Sequence, residues 1–65
     1  MITKIGITAG EIWHYLDEHG QTSMKQLIKG LDKPRDITLM SLGWLAREGN
    51  VVLEGEKDCK ISLRK

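Results

Sequence analysis

The sequence predicts an α+β fold that is mainly helical, in which three helices are followed by a β-hairpin. Apolar residues recur at helical spacing between residues 9 and 48, and glycines stand where each helix should end. The remaining segment, NVVLEGEKDCKISLRK, carries β-prone residues on both sides of a polar turn. A chain of 65 residues has room for one small core, so these elements should form a single domain over residues 1–65.

The first helix is predicted over residues 9–19. The segment TAGE at residues 8–11 matches a capping box, in which the Thr8 hydroxyl and the Glu11 carboxylate bond free amides of the first turn. An apolar stripe follows at i, i+3, i+4 and i+7, formed by Ala9, Ile12, Trp13 and Leu16. Trp13 is therefore expected in the core. Residues 1–7 are expected either as an extended arm or as a short strand against the hairpin.

The second helix is predicted from a similar capping pattern. Ser23 and Gln26 have the capping-box spacing, and Gly30 is expected to end the helix in a left-handed conformation. Between them, the apolar residues form a shorter stripe, consisting of Met24, Leu27 and Ile28. The second helix should therefore be short.

The third helix is predicted to begin near Pro34, because proline is well tolerated in the first turn of a helix. Asp36 then places negative charge where the helix dipole favours it. The helix should end with Arg47 in its last turn and Gly49 as its stop. A hairpin over residues 50–54 and 59–63 completes the chain.

The order of these elements is that of a winged helix-turn-helix, with the hairpin as the wing. The segments IGITAGEIWHYL, SMKQLIKGL and LGWLAREGNV also resemble a small family of bacterial winged helix-turn-helix domains, in which a Gly-Trp-Leu-Ala-Arg-Glu segment closes the third helix. The resemblance covers nearly the whole chain. It implies the winged helix-turn-helix fold and, by analogy of fold, DNA binding in transcription regulation.

The outward face of the third helix is unusual for a DNA reader. Helical spacing turns Thr38, Leu42 and Leu45 inward, flanked by Leu39 and Ala46. The opposite face then consists of Asp36, Ile37, Met40, Gly43, Trp44 and Arg47. Base edges in the major groove are read mostly by Arg, Lys, Asn and Gln, so this face is a poor reader.

Two other interpretations of the face remain open beside base reading. The wing and the N-terminal segment could cover it, which would make it more core. Alternatively it is a protein-partner or homodimer surface, formed by Ile37, Met40, Trp44 and Arg47, because exposed tryptophan and methionine are typical of interfaces. Gly43 favours packing, since a glycine inside a helix usually permits a close approach.

Double-stranded DNA is a possible partner through its phosphates. The formal net charge is only +1, which is low for a nucleic-acid binder. The candidate phosphate contacts are Lys25, Lys29, Lys33, Arg35, Lys57 and Lys60. Acidic residues Glu54, Glu56 and Asp58 alternate with the wing lysines. Any duplex binding should therefore be weak, salt-sensitive and driven by phosphate contacts.

Catalysis, a metal site and a cofactor are not expected. Cys59 is the only cysteine, and the spacing of His14 and His19 does not put them on one helix face. No glycine-rich phosphate loop, signal peptide or membrane span is present in the sequence, so a cytoplasmic location is predicted. The leading hypothesis is a non-catalytic regulatory or adaptor module with DNA binding by fold analogy. The alternative is a protein-interaction or homodimerisation domain.

Overall fold

The computed structural model describes residues 2–55 and 59–64, with the exception of the Ile2 side chain. In chain order the elements are α1 (Ile2–His19), β1 (Thr22–Ser23), α2 (Met24–Leu31), α3 (Arg35–Arg47), β2 (Val51–Glu54) and β3 (Lys60–Leu63). The three strands form one antiparallel sheet in the order β1-β3-β2. The predicted sequence of three helices and a hairpin is confirmed, and a short strand before α2 is added to it.

Helix α1 begins seven residues earlier than the capping pattern predicts, so the expected arm or strand at residues 1–7 is wrong. Thr8 is not a cap but a buried residue inside the helix. The cause is the periodicity of the stripe, because Ile5 continues the spacing of Ala9 and Ile12 back toward the N-terminus. Glu11 also lies inside the helix and does not cap it; its carboxylate forms an ion pair with Lys33.

The expectation that Trp13 lies in the core is also wrong. Its side chain is 39% exposed, whereas Ala9, Ile12 and Leu16 are buried. Trp13 follows Ile12 directly, so its side chain points about 100° away from that of Ile12 and lies beside the buried stripe. Its ring instead meets His14 edge-on, with 5.7 Å between the ring centroids.

Helix α2 begins as predicted, but it ends differently. Ser23 is the N-cap, and its Oγ accepts a hydrogen bond from the Gln26 amide at 3.2 Å. The helix continues through Gly30 to Leu31, and Asp32 takes the left-handed conformation with φ 52°. Gly30 is therefore not the stop. Its backbone lies against the Tyr15 ring of α1, which leaves no room for a side chain.

Helix α3 and the hairpin match the predicted boundaries closely. Pro34 precedes the first residue of α3, and Gly49 ends the helix at φ 77°. The Gly49 amide bonds the Ala46 carbonyl at 3.1 Å, and the next amide, from Asn50, bonds the Leu45 carbonyl at 3.0 Å. These bonds turn the chain directly into β2.

The core is formed by α1, α2, α3 and strands β2 and β3, and α1 and α3 contact each other most extensively. Its buried apolar residues are Ala9, Ile12, Leu16, Leu27, Leu42, Leu45, Val51 and Ile61. Two hydroxyl residues of α3 are fully buried among them, because each satisfies its hydroxyl on its own helix. Thr38 Oγ1 donates to the Pro34 carbonyl at 3.1 Å, and Ser41 Oγ donates to the Ile37 carbonyl at 2.7 Å.

Candidate functional site

The side of α3 that faces away from the core is open. We define the outer face of α3 as Asp36, Ile37, Leu39, Met40, Gly43, Trp44 and Arg47. Trp44 is 52% exposed and Met40 is 43% exposed, while Ile37 is half-buried. The interpretation that the wing and the N-terminal segment cover this face is therefore wrong for Met40 and Trp44. The N-terminal segment extends α1 instead.

Leu39 belongs to this face, although the sequence placed it beside the inner stripe. It is 38% exposed, whereas Ser41 is fully buried. The buried side of α3 is centred between Thr38, Ser41 and Leu45, so it is rotated away from Leu39. Periodicity found the apolar residues of α3, but it could not foresee that a serine would take an inward position by bonding its own backbone.

Gly43 has no packing role among the residues that the structure describes. A Cβ built on it meets no heavy atom within 4 Å, apart from the helix's own nearby backbone. The close approach expected at this glycine is therefore not made by any residue of the described ranges, 2–55 and 59–64. A glycine in the middle of a helix costs about 1 kcal/mol relative to alanine. At Gly43 this cost is not offset by any contact among the described residues.

The predicted phosphate contacts are divided among several elements. Lys25 and Lys29 are exposed on α2, Arg35 is exposed at the start of α3, and Lys60 is exposed at the start of β3. Lys33 is half-buried, and its Nζ lies 3.1 Å from Glu11 Oε1. Lys57 lies outside the described residues.

Lys60 is the predicted contact with the most defined surroundings. Its Cα pairs with Ser23 on one side and Glu54 on the other. It lines a polar groove of about 340 Å³ at the N-terminus of α2, together with Gln21, Thr22, Ser23 and Gln26. Glu54 partly neutralises this corner, in line with the alternation of charges in the wing.

A second groove was not foreseen from the sequence. It has a volume of about 260 Å³ and lies between the first half of α1 and the start of α3. Its lining residues are Lys4, Ile7, Thr8, Lys33, Pro34 and Ile37. Ile7 is 57% exposed there. The sequence feature that could have indicated this groove is Ile7, an apolar residue that lies outside the buried stripe once α1 is extended back to Ile2.

The described side chains that could bind a metal ion or act as a nucleophile do not form a cluster. Among residues 2–55 and 59–64, no three His, Cys, Asp or Glu side chains are grouped so that they could hold a metal ion. Cys59 is a half-buried free thiol. The His19 ring stacks on Tyr15, with 4.3 Å between the ring centroids. In the same described part of the chain, no helix has the length and apolarity needed to cross a membrane.

Comparison with known proteins adds the family. The family described as winged helix-turn-helix domain (DUF2582) matches residues 1–65. A protein of Methanocaldococcus jannaschii, named uncharacterized protein MJ1608, is 45% identical over 65 residues, which covers 94% of this chain and 91% of that protein. The solution NMR structure of protein BT2368 from Bacteroides thetaiotaomicron is similar, with a TM-score of 0.81 and 32% identity over 94% of this chain and 76% of the other.

These similarities confirm the winged helix-turn-helix family and fold that the sequence resemblance predicted. At the level of the fold they suggest a DNA-binding or regulatory class of protein. A bacterial source, a cytoplasmic location and a role in transcription stay predictions.

Proposed function

Because the chain belongs to the winged helix-turn-helix domain family DUF2582, we propose that it is a non-catalytic regulatory or adaptor module whose outer face of α3 binds protein. In this fold, α3 occupies the position of the DNA recognition helix. Here that position would serve a protein contact and not the reading of bases.

The observation that carries the proposal is the exposure of Met40 and Trp44 on this face. Interfaces are enriched in tryptophan, methionine and arginine, and Arg47 completes that set one turn after Gly43. In contrast, the face offers a single basic side chain to base edges and puts Asp36 beside them, where it would repel the duplex backbone.

Weak binding of double-stranded DNA is the second candidate, and the surroundings of Lys60 favour it. Lys60 lines the polar groove at the N-terminus of α2, where the helix dipole favours an anion. Lys25 lies in the first turn of the same helix, an unfavourable position for a cation that a bound phosphate would relieve. Lys29 and Arg35 would extend the contact, and Lys33 would have to leave Glu11 to join it.

A photocrosslinking experiment tests the proposed protein contact. Met40→p-benzoylphenylalanine is expressed in the source cells, with Glu18→p-benzoylphenylalanine as a matched exposed position on α1. The expected result is a protein adduct at position 40 that position 18 does not give and that an added Trp44→Ala change removes. Equal adducts at both positions, or none at position 40, would contradict a contact at the outer face of α3.

A duplex titration followed by NMR tests the second candidate. Amide shifts at Lys25, Lys60 and their neighbours at low salt, fading at moderate salt, are expected for phosphate contact. Shifts centred on Met40 and Trp44 that persist as the salt rises would show instead that α3 enters the groove, against the proposed function.

A further inference from the structure

We propose that the partner of the outer face of α3 is a second copy of this chain, with the two α3 helices packed antiparallel about a two-fold axis. The axis would pass between Ser41 and Leu42, at the middle of each helix. This inference rests on the proposed function, because it names the protein that the face binds. Three features of the face support it: its charges, its side-chain sizes and its unused glycine.

The charges of α3 are complementary to themselves in the antiparallel direction. The helix begins with Arg35 and Asp36 and ends with Arg47, after which Glu48 follows. An antiparallel register that sets Asp36 opposite Arg47 of the second copy also sets Arg35 opposite Glu48. A parallel arrangement would instead place like charges side by side. Among the described residues, neither Asp36 nor Arg47 forms an ion pair, and both are exposed.

The same register matches large side chains with small ones. It places Met40 at the same height along the helix as Gly43 of the second copy, so that the methionine packs beside the glycine. Leu39 lies on one edge of the face, at the height where the second copy presents Gly43 and Ala46. All these contacts are fixed once Asp36 is paired with Arg47 of the second copy, because each residue advances the helix by about 1.5 Å.

Trp44 lies on the other edge of the face. At about 100° per residue, Ile37, Met40 and Trp44 share this edge. A two-fold axis perpendicular to both helices brings equivalent edges together, so the Trp44 indole would enter the gap between Ile37 and Met40 of the second copy. Each copy therefore supplies both the large side chain and the gap that receives it, as a two-fold interface requires.

Gly43 gives the inference its independent support. Its missing side chain serves no contact in the described part of the chain, where a Cβ would meet open space. In the antiparallel pair, the two Gly43 residues lie on either side of the axis, and they allow the helix backbones to approach closely. The pair thus gives a role to a glycine for which the described part of a single chain offers none.

The size of the contact predicts a weak dimer. Trp44 is 52% exposed, which leaves about 130 Å² of an aromatic side chain of about 250 Å² available. One face of a helix about 20 Å long buries on the order of 400–500 Å² per copy, compared with about 800 Å² in a standard interface. We therefore expect a dissociation constant on the order of 10–100 µM.

Such a dimer would compete with base reading, since it covers the side of α3 that would enter the major groove. It would leave the Lys60 groove at the N-terminus of α2 outside the helix pair, because none of that groove's lining residues belongs to α3. Phosphate contact and dimerisation could then coexist, whereas base reading and dimerisation could not.

Sedimentation equilibrium of the whole chain tests the proposal over about 10 µM to 1 mM. The wild type should rise from the monomer mass toward the dimer mass. Asp36→Arg and Arg47→Asp should each weaken association about tenfold, because both ion pairs of the two-fold contact become repulsive. An equimolar mixture of these two variants should recover association, since each mixed pair then contains two attractive contacts.

Gly43→Leu supplies the control for folding. A Cβ at this position meets open space among the described residues, so a leucine should leave the fold intact while it blocks the approach of the second helix. A Gly43→Leu protein with a native NMR spectrum and a monomer mass at about 1 mM is expected. Association equal to that of the wild type would overturn the proposal.

The remaining outcomes distinguish a failure of the dimer from a failure of protein binding by α3. A wild type that stays monomeric at every concentration, or a charge mixture that does not recover, overturns the antiparallel dimer. If photocrosslinking at Met40 still gives an adduct with another protein in that case, the proposed function stands and only its partner was wrong. If neither association nor an adduct is found, both the dimer and the proposed function fail.

Discussion

Gly30 and Gly43 both lie inside helices, and the same change to alanine should have opposite effects on stability at the two positions. At Gly43 the new methyl group meets no described heavy atom within 4 Å beyond the neighbouring backbone of its own helix. Only the gain in helix propensity remains, which is about 1 kcal/mol in favour of the folded state. For a domain of this size, Gly43→Ala should raise the thermal midpoint by about 4–8 °C.

At Gly30 the methyl group would lie 2.6 Å from Cε2 and 2.9 Å from the hydroxyl oxygen of Tyr15. Ordinary contact requires about 3.5–4.0 Å, so the ring must move by about 1 Å or more. This movement disturbs both the α1–α2 contact and the stacking of Tyr15 on His19. Overpacking costs about 1–3 kcal/mol, and the propensity gain is reduced in the last turn of α2, so Gly30→Ala should lower the midpoint by several degrees.

Circular dichroism melts at about 5 µM measure both variants below the range of the proposed association. A double-mutant cycle with Tyr15→Ala adds the control, because Gly30→Ala should become neutral or stabilising once the ring is removed. If both glycine variants shift the midpoint in the same direction by the same amount, the two local environments described for these glycines are wrong.

Four further substitutions test other parts of the structure. Leu42→Ala should cost about 2–5 kcal/mol and Trp44→Ala only about 1 kcal/mol, because the leucine is buried and the tryptophan is half exposed; chemical denaturation that finds the reverse order would put Trp44 in the core. Ser23→Ala should cost about 1 kcal/mol through the lost N-cap of α2, measured in the same way, and no loss would deny the cap. Glu11→Gln should change stability by less than about 1 kcal/mol, since the carboxylate and Lys33 are each more than a third exposed; a larger loss, or one unaffected by salt, would be inconsistent with a surface ion pair.

The elements that the sequence predicted well are those with local signals. Ser23 caps α2, Pro34 precedes α3 and Gly49 ends it, and each acts through its own backbone neighbours. The hairpin was equally visible, because β-prone residues stand on both sides of a polar turn. These features need no knowledge of what packs against them.

The errors arose where tertiary packing overrode a local pattern. Thr8 and Glu11 have the spacing of a capping box, yet burial of the extended stripe on α1 keeps Thr8 inside the helix. Strand β1 has only two residues, and it exists because Thr22 pairs with Ile61 in β3. Strand preference depends on such partners more than on the residues themselves.

The sequence predicted most of the residues that form the outer face of α3, but it did not predict that this face is exposed. Helical spacing placed Met40, Gly43 and Trp44 on one side of α3, and that placement holds in the structure. Whether another element covered this side depended on the N-terminal segment, whose course the sequence did not reveal. Gly43 was expected to permit a close approach, but the structure shows that no part of the described chain makes it.

The most direct test of a protein-binding α3 is a pair of NMR experiments on one labelled sample. The sample is first diluted from about 1 mM to about 20 µM, and a mixed-sequence duplex is then added at moderate salt. The account predicts that amides of the outer face of α3, with Gly43 at the centre, shift on dilution and do not shift further with DNA. An α3 that is unaffected by dilution but shifts strongly with the duplex would contradict it and restore the helix to DNA recognition.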